Sequence, residues 1–499
     1  MDLLGDVLAG MTNWKIVLAA FAGVLWGIVG GSLPGVSATI TIALLLPLTY
    51  GMDPTAAMVL LCACYVGAEY GCSIPAILIR TPGTPAAAAT VIDGYAMHQQ
   101  GRGSEALGIS LVSGVIGGLV GLLMLAMLSE PLTWVSLAFT PPAYFALGVL
   151  GLSIIASLSD GAPLKGLIAA IVGMMIATVG TDPLTGVGRF TYGSAELTGG
   201  IHFVFVMVGM FALSELMIDA GSGALPQIKA AVLRLKLPGW KMSKRIARPQ
   251  AIGVFFGLIE GCLPGGGASV ASFLSYNEAK RWSKHPEEFG KGSPEGVAAP
   301  EAANNTVAST CLIPTLSFGI PGTSSAAILL GGLVMHGLQP GPMLFEKNDF
   351  LGGLYGGLLV ANLSQLFWGF VILGPCLWLV SRPRSYLSAF IYALVMTGSL
   401  SVGLSLFDLW IVIAAGVVGY LMRWLGFPFL PMILALVLGY MIEGNFRRSL
   451  SLSGGDYMTF LTNPVAAFLL GAAVLLVCGS LARDLMNKRR QMRETAAAS

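Results

Sequence analysis

The sequence predicts an all-α polytopic membrane protein that consists of two tandem homologous halves with broken or re-entrant helices. Three observations predict it: an apolar composition, long stretches without charged residues, and an internal repeat of Pro-Gly elements. The mean hydropathy is +0.79. Hydrophobic residues make up 55% of the 499 residues and charged residues 10%, whereas soluble domains contain about a quarter charged residues. A lipid bilayer is therefore the expected surrounding.

The charged residues are far apart along the chain. Asp, Glu, Lys and Arg are all absent from residues 16–52, 106–129, 131–159, 302–345, 350–381 and 457–482. Each of these stretches exceeds the roughly 20 residues that a spanning helix needs. The chain also contains 66 Gly and 27 Pro, and membrane helices tolerate such residues where neighbouring segments satisfy the freed backbone groups. We therefore expect interrupted helices.

The basic residues cluster at residues 229–248 and 483–493, and the positive-inside rule places both clusters in the cytoplasm. The predicted organisation is an N-terminal transmembrane repeat (1–220), a basic cytoplasmic linker (221–249), and a C-terminal transmembrane repeat with a basic cytoplasmic tail (250–499). Residues 16–30 are interpreted as a retained first helix, because acidic residues precede them and no cleavage site is evident. The net charge of +2 gives no reason to expect a nucleic-acid partner.

Two elements occur in both halves. The first reads GSLPGVSA at residues 31–38 and GCLPGGGA at residues 261–268. The second runs from Cys72 to His98 and again from Cys311 to His336, each time with a Pro-Gly-Thr turn. Such ordered self-similarity indicates a tandem duplication, although it leaves open whether the halves are inverted or parallel.

The second half is longer between its two elements. Pro82 follows Pro34 by 48 residues and Pro321 follows Pro264 by 57, which is nine more. The extra length falls in the charged stretch 280–292. We expect a solvent-exposed loop there.

The repeated elements have the composition of helix N-termini that bind an anion. A Pro-Gly turn stops one helix and allows another to begin, and the bare N–H groups and hydroxyls that follow favour negative charge. Duplicated transporters use such half-helix ends to bind substrate near the middle of the membrane. The predicted substrate-binding residues in these elements are Pro34, Gly35, Val36, Ser37, Thr39, Gly83, Thr84, Gly265, Gly266, Gly267, Ser269, Gly322, Thr323, Ser324 and Ser325.

Two adjacent amides, Asn304 and Asn305, lie in a largely apolar segment, where an unpaired amide is costly. They are expected either to bind substrate or cation or to hold helices together, and the first role places them in the predicted substrate site. The acids Glu69, Asp93 and Glu301 border or enter apolar segments and are candidates for substrate or coupling-ion binding, although Asp93 could equally end a helix. Arg80 lies two residues before Pro82 and aligns with Gly319. It is therefore a candidate for substrate or coupling-ion binding that only the first half contains.

No catalytic or prosthetic site is expected. The sequence lacks a Walker A motif, H-E-x-x-H and G-x-S-x-G. Seven cysteines lie in apolar stretches, which favours packing, with metal binding by Cys62, Cys64 and Cys72 as the alternative. The prediction is therefore a protein that is not an enzyme and has no cofactor, catalytic residue or metal.

Taken together, these motifs resemble the large permease subunit of the tripartite tricarboxylate transporter family. The resemblance covers nearly the whole chain and is carried by GSLPGVSA, GCSIPAILIRTPGTPAAAATVIDGY, GCLPGGGASVASFLSYNEAKRWSKHPEEFGKGSPEGVAAPEAANNT and IPGTSSAAILLGGLVMHGLQPGP. It implies a multi-pass protein of the bacterial inner membrane that works with a small membrane subunit and a periplasmic substrate-binding protein. It also implies the uptake of organic carboxylates, driven by an ion gradient.

The resulting expectation is an elevator-like secondary transporter in which a moving unit contains the paired elements. Its substrates would be tricarboxylates, dicarboxylates or aromatic acids, and its coupling ion H⁺ or Na⁺. Two alternatives remain open at this point. One is a self-sufficient anion transporter or channel, and the other is an intramembrane enzyme that uses Asp93, Glu69 or Glu301.

Overall fold

The protein is almost entirely helical in the structure, a computed structural model that describes residues 3–33, 36–136, 139–157, 163–182, 185–221, 235–263, 267–380, 384–403 and 405–498. The first half contains α1 (Leu3–Thr12), α2 (Trp14–Ser32), α3 (Ala38–Leu45), α4 (Pro54–Ile79), α5 (Ala87–Gln99), α6 (Gly103–Ser136), α7 (Pro141–Ser157), α8 (Pro163–Ala177), a hairpin of β1 (Gly180–Thr181) and β2 (Gly188–Arg189), α9 (Ala195–Thr198), α10 (Phe203–Val208) and α11 (Ser214–Gly221). A π-helical turn, Gly209–Leu213, joins α10 to α11.

The second half repeats much of this order. It contains α12 (Trp240–Cys262), α13 (Gly267–Trp282), α14 (Pro294–Thr310), α15 (Leu312–Phe318), α16 (Ser324–Met335), α17 (Asn348–Val371), α18 (Leu373–Val380), α19 (Arg384–Gly403), α20 (Leu406–Trp424), α21 (Leu430–Leu452), α22 (Thr459–Thr462) and α23 (Pro464–Ala498). Short 3-10 turns lie at Leu46–Thr49, Pro286–Glu288 and Pro342–Glu346.

Among the described residues, 7 helices are long and apolar enough to cross a membrane. These spans are Trp14–Ser32, Pro54–Ile79, Gly103–Leu128, Asn348–Val371, Leu406–Trp424, Leu430–Leu452 and Pro464–Ala482. Shorter apolar helices, such as α16, accompany them. The predicted all-α polytopic membrane fold is thereby confirmed, including its broken helices: α14 ends at Thr310 and α15 begins only two residues later.

The chain forms two compact units, and each unit draws on both halves. Unit 1 comprises residues 1–133, 216–317 and 321–404, and unit 2 comprises residues 134–215, 318–320 and 405–499. The centre of unit 1 is formed by α4 and α14. Every residue of α14 is buried, as is α4 from Ala56 to Leu78.

Glycine ridges hold the helices of unit 1 together in the same way in both halves. On α2, an added Cβ at Gly27 would lie 2.2 Å from the Cys64 carbonyl oxygen of α4. On α12, an added Cβ at Gly253 would lie 2.2 Å from the Ala299 carbonyl oxygen of α14. Each ridge contains three glycines at four-residue spacing, namely Gly23, Gly27 and Gly31 on α2 and Gly253, Gly257 and Gly261 on α12. Small residues allow such close backbone approach in membrane helices, so the duplication is visible in packing as well as in sequence.

Unit 2 packs α21 against α7 and α8, and α23 against α7. Ion pairs fasten its β-hairpin to α21. Arg189 donates to Glu443 at 2.6 Å, and Arg447 donates to Asp182 at 2.6 Å. None of the predicted substrate-binding residues lies in this unit.

The predicted linker at 221–249 is partly helical. Residues 222–234 lie outside the described part of the chain, whereas α12 begins at Trp240. Lys244 lies 5.0 Å from the ring centroid of Trp240, so the basic residues here belong to an amphipathic first turn. Long basic side chains can extend from such a turn towards water, and the extent of the linker stays a prediction.

Candidate functional site

The helices after the repeated turns begin as the sequence predicts. The side chain of Ser37 caps α3 by accepting from the Ile40 amide at 3.3 Å, and that of Thr323 caps α16 by accepting from the Ala326 amide at 3.0 Å. Capping hydroxyls of this kind satisfy one of the free N–H groups at a helix start. Val36 is buried directly before α3. Pro34, Gly35, Gly265 and Gly266, which are also predicted site residues, lie outside the described residues.

The first half's second element has a related geometry. The Thr84 hydroxyl accepts from the Ala87 amide at 3.3 Å at the start of α5. Gly83 packs on Cys72, whose Sγ would lie 2.7 Å from an added Cβ. In the second half, an added Cβ at Gly322 would lie 3.7 Å from Cys311 Cβ, and Cys311 is the counterpart of Cys72. The two cysteines therefore serve as packing surfaces for the Pro-Gly-Thr turns.

Gly267 opens α13 in a left-handed conformation with a φ of 61°. An added Cβ there would lie 3.6 Å from both the Gly322 carbonyl oxygen and Thr323 Cγ2. The first and second elements of the second half are thus neighbours. Ser269, two residues further on, is half-buried.

The two halves meet at their hydroxyl groups. Thr39 Oγ1 on α3 lies 3.0 Å from Ser325 Oγ on α16, and Tyr65 Oη on α4 lies 3.3 Å from Thr323 Oγ1. In addition, α13 packs against α5 just as α3 packs against α16. Each half therefore brings its first-element helix beside the second-element helix of the other half. We call Thr39, Tyr65, Thr323 and Ser325 the hydroxyl cluster.

Tyr65 is a site residue that was not predicted from the sequence. It precedes Cys72 by seven residues, exactly as Asn304 precedes Cys311, so the repeat alignment pairs the overlooked tyrosine with a predicted site residue. This relation could have identified it. Ser324 begins α16 and is half-buried.

The two amides lie one helical turn above the buried acid Glu301. Asn304 Nδ2 donates to Glu69 Oε2 at 2.9 Å, and Asn305 Nδ2 donates to the Glu301 carbonyl oxygen at 3.3 Å. The Oδ1 atoms of both amides are buried without a donor. The structure thus gives Asn304 an interhelical contact and leaves acceptor oxygens on both amides available.

Asp93 is fully engaged in holding the inserted loop of the second half. Its Oδ1 accepts from the amides of Gly290, Gly292 and Ser293 at 2.8–2.9 Å, and its Oδ2 accepts from the Tyr276 hydroxyl at 2.8 Å. Four donors to one carboxylate leave little capacity for a further ligand. The inserted stretch is largely exposed, but Phe289 is buried against Tyr276.

Arg80 is exposed and ends α4 in a left-handed conformation with a φ of 59°. Its counterpart Gly319 has a φ of 66°. Both halves therefore turn through the same backbone conformation before the Pro-Gly-Thr element. This conformation is unfavourable for residues other than glycine, so the arginine occupies its position at some energetic cost.

The clustered cysteines show no common ligand geometry. Among the described residues, His285, Glu287 and Glu288 form a group of three potential metal ligands, which lies at the surface. Cys62, Cys64 and Cys72 are buried within α4.

Comparison with known proteins gives a consistent result. Residues 17–434 match the model of the family described as "Tripartite tricarboxylate transporter TctA family". The chain is 39% identical over 495 residues to an uncharacterized 52.8 kDa protein in the TAR-I ttuC′ 3′ region of Agrobacterium vitis, covering 98% of both chains. It is also 36% identical over 237 residues to an uncharacterized protein in the TAR-II ttuC′ 3′ region of the same organism, covering 47% of this chain and 98% of the relative. No solved structure matches it.

Proposed function

Because the chain belongs to the tripartite tricarboxylate transporter TctA family, we propose that it is the large permease subunit of a binding-protein-dependent secondary transporter for organic carboxylates. The substrates are tricarboxylates, dicarboxylates or aromatic acids, and uptake is coupled to a proton or sodium gradient. The protein lies in the bacterial inner membrane and works with a small membrane subunit and a periplasmic substrate-binding protein.

The hydroxyl cluster is the observation that carries this proposal. It joins the capped N-termini of α3 and α16, one from each half, through a contact of 3.0 Å, and it joins α4 to the cap of α16 through a contact of 3.3 Å. Helix N-termini carry partial positive charge, and hydroxyls donate hydrogen bonds to carboxylates. A carboxylate can therefore be bound here without an arginine or lysine. The geometry supports anion binding at this position.

The location of these groups supports an elevator-like mechanism. The hydroxyl cluster belongs entirely to unit 1, so a substrate that it holds would move with a single compact body. The paired breaks before α3 and α16 provide the short helix ends that such a body carries into the membrane. Coupling to a cation would offset the negative charge of the substrate during the movement.

Reconstitution tests the proposal. The permease with its two partner proteins, placed in liposomes, is expected to accumulate labelled di- or tricarboxylate or aromatic acid when an inward proton or sodium gradient is imposed. Absence of accumulation under both gradients would contradict the proposal. Equal accumulation by the permease alone would instead favour a self-sufficient transporter.

A further inference from the structure

Two carboxylic acids lie buried in unit 1 and do not belong to the hydroxyl cluster. Glu301 on α14 is 0% exposed, and Glu69 on α4 is 3% exposed. Burial of a charged carboxylate is costly unless another group compensates it. The contacts of these two side chains therefore indicate which groups compensate the cost of their burial.

Three hydroxyls from three different helices surround Glu301. Ser73 Oγ on α4 donates to Oε1 at 2.7 Å, Thr90 Oγ1 on α5 makes a short contact to the same oxygen, and Ser110 Oγ on α6 donates to Oε2 at 2.8 Å. All three are buried. Hydroxyls have lone pairs as well as a proton, so the same groups can turn their oxygens towards a cation.

The charge of this region is not balanced by a basic residue. Within the described part of the chain, the ion pairs of Arg and His involve other acids, and neither Glu69 nor Glu301 has a basic partner. The single amide donor is Asn304 Nδ2, at 2.9 Å from Glu69. The region therefore combines negative charge with hydroxyl and amide oxygens.

Two amide groups beside these acids provide an independent observation. Asn304 Oδ1 and Asn305 Oδ1 have no donor, and both side chains are 1% exposed. A flip of Asn304 would turn its oxygen towards the Glu69 carboxylate and replace an attraction by a repulsion, so the orientation is fixed by its partner. Buried acceptors without donors are rare in proteins, and amide oxygens of this kind are common ligands of cations.

The other titratable groups on the surrounding helices do not supply that charge. On α5, Asp93 is occupied by the inserted loop, and on α13 Tyr276 donates to it. On α4, Tyr70 and Cys72 are neutral groups in their ordinary state. On α12, Arg245 pairs with Glu288 and Glu295, Arg248 lies over the Trp282 ring, and Glu260 is another acid. The positive charge must therefore come from a bound ion.

We infer that Glu301 binds the coupling ion of transport, together with the hydroxyls of Ser73, Thr90 and Ser110. This ion carries one positive charge and is either a proton or an alkali-metal ion. The inference rests on the proposed transport function and assigns its coupling site. The two sites communicate along one face of α4, since Tyr65, Glu69 and Ser73 follow each other at four-residue spacing. Tyr65 contacts the hydroxyl cluster at one end of this row, and Ser73 contacts Glu301 at the other.

Substitution of Glu301→Gln separates coupling from substrate binding. In liposomes, the variant is expected to lose at least nine-tenths of gradient-driven accumulation while it retains counterflow of labelled against unlabelled carboxylate, because exchange needs no net ion movement. Glu287→Gln, an exposed acid on the inserted loop, is the matched control and should leave both unchanged. Accumulation by Glu301→Gln at the wild-type level would overturn the inference.

Substitution of Ser110→Ala provides a second, milder test and also identifies the ion. The concentration of cation that gives half-maximal uptake is measured once with Na⁺ at fixed pH and once by varying pH in choline buffer. We expect Ser110→Ala to raise this concentration at least threefold in one of the two series, which identifies the ion. An unchanged value in both series would overturn the inference even if Glu301→Gln had failed to fold.

Thermal unfolding of the purified permease tests the cation site independently of the proposed transport function. Na⁺ or acidification is expected to raise the melting temperature of the wild type and of Thr323→Ala, which retains the acid, and to raise that of Ser110→Ala by less at the same cation concentration. Cation stabilisation without any carboxylate transport would refute the proposed function alone. Identical shifts in wild type and Ser110→Ala would refute the cation site alone.

Discussion

The hydroxyl of Tyr65 on α4 lies 3.3 Å from that of Thr323, the residue that caps α16. One residue belongs to the first half and the other to the second. This contact therefore joins the most deeply buried helix of one repeat to a helix N-terminus of the other. It also couples any change at the cap of α16 directly to the core of unit 1.

Removal of the Tyr65 hydroxyl should weaken substrate binding more than it affects folding. Tyr65→Phe keeps the ring but deletes one hydrogen-bonding group, which is worth about 0.5–1.5 kcal/mol. We expect the KM of carboxylate uptake to rise roughly two- to tenfold, by the same conversion, with a similar melting temperature. Tyr457→Phe, at an exposed position in unit 2, is the control. An unaltered KM for Tyr65→Phe would argue against the hydroxyl cluster as the substrate site.

Thr323 should tolerate serine but not alanine. Thr323→Ala removes both the cap of α16 and the partner of Tyr65, and loss of a cap alone costs about 1 kcal/mol. Thr323→Ser retains the hydroxyl and should restore most of the uptake. The measurement is the KM of uptake for both variants beside Thr397→Ala, whose exposed hydroxyl bonds within its own helix. Equal KM values for the alanine and serine variants would show that the hydroxyl has no role in binding.

The glycine ridges of unit 1 should tolerate an added methyl group poorly. At Gly27 the added Cβ would lie 2.2 Å from a backbone carbonyl oxygen, so α2 and α4 would have to separate. Overpacking of this kind typically costs about 1–3 kcal/mol. We expect Gly27→Ala and Gly253→Ala to lower the melting temperature in detergent, and Gly471→Ala, with open space around it, to leave it within error. A melting temperature of Gly27→Ala equal to that of the control would contradict the packing.

Asp93 should prove structural. Asp93→Asn would place an amide group among four donors and release the loop at Gly290–Ser293, since hydrogen bonds to charged groups contribute about 1.5–3 kcal/mol each. Trypsin is expected to cleave faster after Lys291, and Tyr276→Phe should produce a smaller increase because three amide donors remain. The exposed acid Asp349 gives the control Asp349→Asn. Loss of ion coupling with normal resistance to trypsin would instead assign Asp93 to transport.

Arg80 allows charge and backbone conformation to be separated. Arg80→Gly removes the positive charge but suits the left-handed φ of 59°, so stability should remain or increase by up to about 1 kcal/mol. If the charge attracts the substrate, the KM should rise a few-fold, and more at low salt than at high salt because exposed charges are screened. The test is uptake at two ionic strengths together with the melting temperature. A KM equal to that of the wild type at both would remove Arg80 from the substrate path.

Much of the architecture could be predicted from the chain alone. Apolar stretches of spanning length specify membrane helices, because backbone groups in lipid must be satisfied within the helix. The repeated Pro-Gly turns located the starts of α3 and α16, and their capping residues Ser37 and Thr323 are as expected. The substrate roles of these residues, and of Asn304 and Asn305, stay predictions.

The sequence by itself determined the membrane environment, the internal duplication, the family and the local helix ends, because each depends on composition or on neighbours along the chain. Only the tertiary structure decided from which donors each buried acid accepts. The sequence gives no way to distinguish the roles of the three acids Asp93, Glu69 and Glu301. In the structure, Asp93 accepts from three backbone amides and the Tyr276 hydroxyl, whereas Glu301 accepts from three hydroxyls on three helices. It likewise brought Tyr65 to Thr323, since contacts between residues so distant in the chain arise from packing rather than from local preference.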